Sequence, residues 1–329
     1  VMKYRKFSDL GWNVSEVGLG CWQLGWGWGD VVSENDVKEL LKKTLDNGIN
    51  FFDTSDTYGD GRSEKFLSEI IKSTSEKLYV STKLGRRVRG TNYSKGYKHE
   101  PMEEFIDRSL INLGVECIDL LQLHCPPSEI ILKKETFEKM DEIVKKGKVM
   151  NYGVSVWTVS DAMEAIKHSN VKSIQIVFNM FRQKPAELFF KEAQKKNVAV
   201  IVRGPLASGL LTGKINKSTK FAENDHRNYN INGKAFDVGD TFSGVNFDNG
   251  LQAVEELKKL VPHNYSLATL ALKWILSHKD VSVVIPGAAN KYQVEMNAST
   301  SELEDISDII PKINAIYEKF IKTDVHSRW

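Results

Sequence analysis

The stretch FFDTSDTYGDGRSE (51–64) leaves an aromatic, strand-like run at Asp53 and presents Tyr58 five residues later, just ahead of a helix start. A polar turn with an incidental aromatic is the commoner fate of such a segment. The other reading is a carboxylate and a phenol aimed into one pocket. Two further runs bear on the choice: KLYVSTK (77–83) ends in Lys83, and CIDLLQLH (117–124) ends in His124. A tyrosine phenol titrates near 10. A buried ammonium beside it favours the phenolate and lowers that value, each pH unit corresponding to about 1.4 kcal/mol of interaction. Asp53 would keep the ammonium charged despite burial, and His124 would offer a hydrogen bond to a substrate carbonyl. Together the four make a tuned general acid beside a carbonyl pocket. These runs offer neither a nucleophile with its base nor two acids flanking a bond, which counts against glycoside hydrolysis.

Such residues need elements that bring them together. Short apolar runs lie near 15–20, 48–53, 77–83, 117–124, 149–155, 173–179, 198–204 and 281–287, and stretches of helical periodicity lie between them. Strands apolar almost throughout are buried on both faces, and eight of them, each followed by a helix, indicate an α/β fold of the (β/α)8 TIM-barrel type. In such barrels the chemistry sits at the C-terminal strand ends. Asp53, Lys83 and His124 end three consecutive strands, with Tyr58 in the loop after the first. Residues 3–17 read as an N-terminal β-hairpin plugging the N-terminal mouth. Residues 205–249, rich in Gly, Asn and Asp, read as a long lid loop after strand seven. Nothing marks a second domain, so residues 1–329 read as one. A doubly wound sheet is the weaker alternative, because GLGCWQLGWGWGD (18–30) has the wrong glycine spacing for a dinucleotide fingerprint.

The bulk composition narrows the partners. Forty-five Lys and Arg against 43 Asp and Glu give a net charge of +2, which argues against nucleic acid. Three cysteines make no disulfide framework, and the scattered histidines show no metal-ligand spacing. No apolar run approaches the roughly 20 residues of a membrane span, and VMKYRKF is no signal region. The expectation is a cytoplasmic protein acting on a small molecule, with no metal; self-association is left open.

A proton donor beside a carbonyl needs a source of hydride. RGPLASGLLTGK (203–214) is glycine-rich, and its backbone N–H groups could hold a pyrophosphate. VIPGAANKYQVEMN (284–297) leaves the last strand for a helix whose N-terminus suits a phosphate, or is an ordinary strand–turn–helix joint.

These segments, with VGLGCWQLG (17–25), STKLG (81–85), IDLLQLHCP (118–126), GKVMNYGVSVW (147–157) and QIVFNMF (175–181), resemble the aldo-keto reductases over nearly the whole chain. The resemblance implies a TIM barrel that binds NADP(H) in extended form and reduces aldehydes or ketones. It makes Tyr58 the acid, Lys83 the neighbour that lowers its pKa, Asp53 the partner of that lysine and His124 the group that orients the carbonyl. Cofactor contacts implied are Gly20, Cys21, Trp22, Asp53, Ser155, Gln175, Arg203, Gly204, Pro205, Leu206, Ser208, Gly209, Lys214, Gly287, Lys291, Gln293 and Asn297. Of these, Ser155 and Gln175 match the nicotinamide carboxamide site, and Leu206, Ser208, Gly209 and Lys214 the pyrophosphate loop. Gly287, Gln293 and Asn297 match the adenosine-phosphate end.

The chain also departs from the family pattern. Val156 stands where the family often has Asn, and Arg203 where many members stack a tyrosine on the nicotinamide. Gly287 and Gln293 replace basic residues that often grip a 2′-phosphate; Lys291 is the substitute, and NAD(H) stays open. Trp22, Trp26, Trp28 and Trp157, with His124, would wall the substrate side, although the first three could equally pin a surface loop. Asp225, His226 and Arg227 in the lid read as a solvated loop anchor, with a contact closing over substrate as the alternative. The second function class is a nucleotide-sensing regulatory protein of the same fold with little turnover.

Overall fold

The computed structural model describes residues 1–25, 32–87 and 99–329, with only the backbone of 99–101. Trp26 and Trp28 therefore lie outside the described residues.

Eight strands pair in parallel in sequential order: β3 (Leu19–Gly20), β4 (Phe51–Asp53), β5 (Tyr79–Leu84), β6 (Ile118–His124), β7 (Val149–Ser155), β8 (Val171–Val177), β9 (Ala199–Arg203) and β10 (Val281–Val284). Their runs of Val, Ile, Leu and Phe are buried on both faces, as the helices outside and the packed interior require. The ends of the sheet meet. Gly18 N donates to Val284 O at 2.8 Å, Val284 N to Glu16 O at 3.0 Å and Gly20 N to Pro286 O at 3.0 Å. A Cβ on Gly18 would come within 2.9 Å of Phe51 O, and one on Gly20 within 2.8 Å of Ile285 O, so the seam demands glycine.

Ahead of the barrel, β1 (Tyr4–Phe7) and β2 (Trp12–Ser15) form the expected antiparallel hairpin. Their inward side chains Phe7, Trp12 and Val14 cluster with Phe51 and Ala199, the first residues of their strands, and with Leu120, Ile201 and Val283 deeper in the barrel. Burying side chains of this size stabilises by about 1.5–3 kcal/mol each, which seats the hairpin as a plug.

Register delivers the chemistry to the other end. Asp53 pairs with Ser81, Lys83 with Gln122, His124 with Ser155, and Ser155 with Gln175. The polar residues of five consecutive strands thus fall in adjoining layers of one mouth.

Residues 205–249 are more ordered than a lid loop. They fold into short helical turns at Ala207–Thr212, His226–Tyr229, Val238–Asp240 and Phe242–Gly244 before the helix Phe247–Lys258. Ala207, Leu210, Leu211 and Phe242 join the main core and hold the segment down.

Candidate active site

The turn after β4 is fixed from both sides. Ser63, at the start of the helix Arg62–Ser73, donates to Cys21 O at 2.9 Å and accepts from Thr54 Oγ1 at 2.8 Å. Arg62 reaches across to Leu24 O and Val32 O. A Cβ on Gly25 would come within 2.3 Å of the carbonyl carbon of Tyr58, so the helix Trp22–Gly25 lies directly against the tyrosine backbone. Gly59 and Gly61, at φ +62° and +92°, make the turn that follows. Trp22 meets the Tyr58 ring edge-on, with centroids 5.1 Å apart.

Under the phenol lies a buried ion pair. Lys83, only 1 % exposed, bonds to Asp53 Oδ2 and donates to Thr54 O at 2.8 Å. Its ammonium stands 5.2 Å from the centre of the Tyr58 ring. Burial opposes the charge, but Asp53 and the phenol outweigh it and raise Lys83 above its ordinary value. Asp53 is held in turn by two amides: Oδ1 accepts from Gln122 Nε2 at 3.1 Å and from Gln175 Nε2 at 2.7 Å.

The pKa of Tyr58 departs from the expectation. Burial pushes the phenol up; the charges of Lys83 and Arg203 pull it down, Asp53 adds to the rise, and the net direction is upward. Lys83 does act in the expected sense, but its neutralising partner and the loss of water win. A phenol that stays protonated still holds the proton a developing alkoxide takes.

His124, also buried, places Nδ1 3.2 Å from Ser55 Oγ and meets the Tyr58 ring edge-on, with centroids 6.1 Å apart. Burial first, then the charges of Arg86, Lys83 and Arg203, hold its pKa well below the usual imidazole value. The ring is neutral, as a hydrogen-bonding orienter requires.

Arg203 ends β9 over the same mouth and pairs with Asp240 of the segment after it; it also donates to Val156 O at 3.2 Å. Asp240 accepts from Trp157 Nε1 at 2.9 Å. Ser208 Oγ donates to Asp240 O at 3.2 Å, which links the glycine-rich loop to the same post. Burial alone would weaken the Arg203 charge, but Asp240 and its neighbours raise it.

The structure thus brings Asp53, Tyr58, Lys83 and His124 together, with Trp22 beside them and Ser155, Gln175, Arg203 and Trp157 around the rim. In the glycine-rich loop, Gly204, Ala207, Ser208, Gly209 and Gly213 all take positive φ, between +49° and +94°, while Leu206 stays outside that region and Lys214 is exposed. Cys21 is buried and its N–H donates to Asp53 O at 2.8 Å. Around the last helix, Asn297 donates to Gly287 O at 3.3 Å, and Gln293 accepts from Ala289 N at 2.8 Å. Lys291 pairs with Glu39 at 3.0 Å. Asp225 is buried against Arg227 at 2.6 Å, so the expected solvated anchor is instead an internal one. Among the described residues no group of His, Cys, Asp and Glu could hold a metal.

Two contributors escaped the sequence reading. Gln122 shares a strand face with His124, two positions on, so the period-two rule applied to LLQLH could have found it. Asp240 sits in a polar segment with no local signal.

Comparison with known proteins decides the family. The Aldo/keto reductase family profile matches residues 16–318. The chain belongs to the aldo/keto reductase family. Among curated relatives, the aldo-keto reductase YhdN of Bacillus subtilis is 29 % identical over 98 % of this chain and 96 % of its own length. A probable voltage-gated potassium channel subunit beta of Arabidopsis thaliana is 27 % identical over 99 % and 98 %. Among solved structures, the glycerol dehydrogenase AKR11B4 from Gluconobacter oxydans superposes with a TM-score of 0.79 at 26 % identity, covering 97 % of this chain and 96 % of that one. The holo form of the aldo-keto reductase AKR11C1 from Bacillus halodurans gives 0.76 at 26 %, covering 100 % and 99 %. Within this aldo/keto reductase, no helix among the described residues is long and apolar enough to cross a membrane.

Proposed function

We propose that this aldo/keto reductase reduces an aldehyde or ketone to an alcohol with NADP(H), and that Tyr58 is its general acid. The observation that carries this is the buried Asp53–Lys83 pair beneath Tyr58, with neutral His124 at the same mouth. The surroundings fit a dinucleotide. Consecutive left-handed residues at 207–209 turn the backbone of the loop into a cradle of the nest type. A Cβ on Gly287 would meet Gln23 Oε1 at 2.3 Å, and that oxygen is buried with no partner among the described residues. Ser155, Gln175 and Arg203, with Gly20, Cys21 and Trp22 below them, would hold the nicotinamide end. The 204–209 loop, Pro205 included, and Lys214 would hold the pyrophosphate, and Gly287, Lys291, Gln293 and Asn297 the adenosine end. When bound, the reduced cofactor supplies hydride to the carbonyl carbon.

The chain's own residues do the rest. His124 donates a hydrogen bond to the carbonyl oxygen, polarising and orienting it. Tyr58 gives its proton to the oxygen as negative charge develops there. Lys83, kept cationic by Asp53, stabilises the phenolate left behind; Gln122 and Gln175 fix the carboxylate that makes this possible. Trp22 and Trp157 wall the pocket. That wall and the closed barrel keep water from the charges, which strengthens each interaction.

A panel of aldehydes and ketones, assayed with NADPH and NADH side by side, tests the reading. Multiple turnovers with NADPH are expected, and Tyr58→Phe should lower kcat by about 10²–10⁴-fold. Normal turnover by that variant would end the mechanism. The relative named as a channel subunit motivates one contrast: a single bound equivalent that reacts once would favour a nucleotide sensor.

A further inference from the structure

Behind His124 lies a carboxyl group that the mechanism above does not use. Asp56 is fully buried in the turn between β4 and Tyr58. Its Oδ1 accepts from Ser55 Oγ at 3.2 Å, and the same Ser55 oxygen is 3.2 Å from His124 Nδ1. Ser55 also contacts Thr57 Oγ1 at 3.0 Å and accepts from Thr57 N at 3.3 Å. Asp56 Oδ2 has no hydrogen-bond partner among the described residues. Arg87 and Arg108 bond to Asp60 and to the backbone oxygen of Asp56. Glu64, on the helix Arg62–Ser73, adds like charge and is itself held by Thr82 and Asn112.

A hydroxyl has one proton to give. If Asp56 is ionised, Ser55 donates to it and can only accept from His124, which must then carry its proton on Nδ1. If Asp56 is protonated, it donates to Ser55, Ser55 donates to Nδ1, and the imidazole proton sits on Nε2. We propose that Asp56, acting through Ser55, sets which ring nitrogen of His124 bears the proton. One proton separates the two states: as it leaves Nε2, Nδ1 takes the Ser55 proton and Ser55 takes that of Asp56. The Nε2–H form donates to a carbonyl and suits reduction. The Nδ1–H form presents a bare Nε2 that accepts from an alcohol and suits oxidation. Asp56 and Ser55 are positioning residues in this scheme, which rests on His124 as the group that meets the substrate oxygen.

Burial, with Glu64 adding to it, pushes the Asp56 carboxyl up to about 7, against the opposing pull of Arg87, Ser55 and Arg108. The exchange therefore falls in the neutral range.

The test is ¹⁵N NMR of the full chain labelled at histidine, with the His124 signal identified by its loss in His124→Gln. From about pH 5.5 to about pH 8.5 the wild type should pass from Nε2–H to Nδ1–H. Asp56→Asn, which cannot titrate, should hold one tautomer throughout, and Ser55→Ala should uncouple the ring from Asp56. In parallel, kcat/KM for carbonyl reduction should fall about tenfold per pH unit above the transition in the wild type, and not in Asp56→Asn. One unchanging wild-type tautomer, or a transition that survives both substitutions, overturns the relay. A tautomer switch without any carbonyl turnover would instead condemn the reductase reading and leave the relay standing.

Discussion

Asp56 also makes a prediction about stability. Its carboxyl is fully buried, and its pKa rises from an ordinary 3.8 to about 7. For a group raised in the folded state, the stabilising contribution is complete below the unfolded value and disappears as pH climbs through the folded one. Here the window runs from 3.8 to about 7. At about 1.4 kcal/mol per pH unit, the loss across it amounts to about 4 kcal/mol. Asp56→Asn keeps the volume, offers an amide to Ser55 and has no charge to bury. The stability of the variant relative to wild type should therefore grow by about 4 kcal/mol between pH 4 and pH 8 and then level off. Denaturant midpoints at matched pH values measure the difference, in which the titrating groups not coupled to Asp56 cancel. Parallel curves for the two proteins would show that Asp56 is ionised throughout, and the reasoning from its burial would fail.

Three other outcomes follow from the site. Lys83→Met leaves Asp53 buried without its cation and should cost about 3–5 kcal/mol by denaturant unfolding; adding Asp53→Asn should restore much of the stability but none of the turnover. Asp240→Asn should cost less, about 1–3 kcal/mol, because Arg203 remains a half-buried charge without its partner; Arg203→Met with Asp240→Leu should recover most of it, and a double variant no better than the single would refute that account. Glu39→Gln releases Lys291 from its pair and should lower KM for NADPH about two- to fivefold while leaving NADH unchanged; equal effects on both cofactors would remove Lys291 from the 2′-phosphate.

The barrel was readable because its strands are apolar on both faces and its helices carry their own period and caps. Ser33 caps Glu34–Asp46 through the Asp36 N–H, as the sequence SENDV suggests. Strand-end logic then located Asp53, Lys83 and His124, since each ends a run of buried residues. What stayed hidden depends on distance along the chain. Asp240 meets Arg203 across 37 residues and Trp157 across 83, and nothing near Asp240 marks it. The phenol's pKa lies beyond the sequence for a related reason. Adjacent charges can be guessed from residue types, whereas the depth of burial that outweighs them belongs to the assembled fold. Asp56 carries no local signal because it sits in a turn, where acids are ordinarily wet.

The hairpin at the base has a kinetic meaning. The barrel interior is packed and Phe7, Trp12 and Val14 cover its floor, so the polar mouth is reached from one side. Any molecule that reaches Tyr58 therefore arrives and departs through the C-terminal mouth, whose width sets how fast it exchanges.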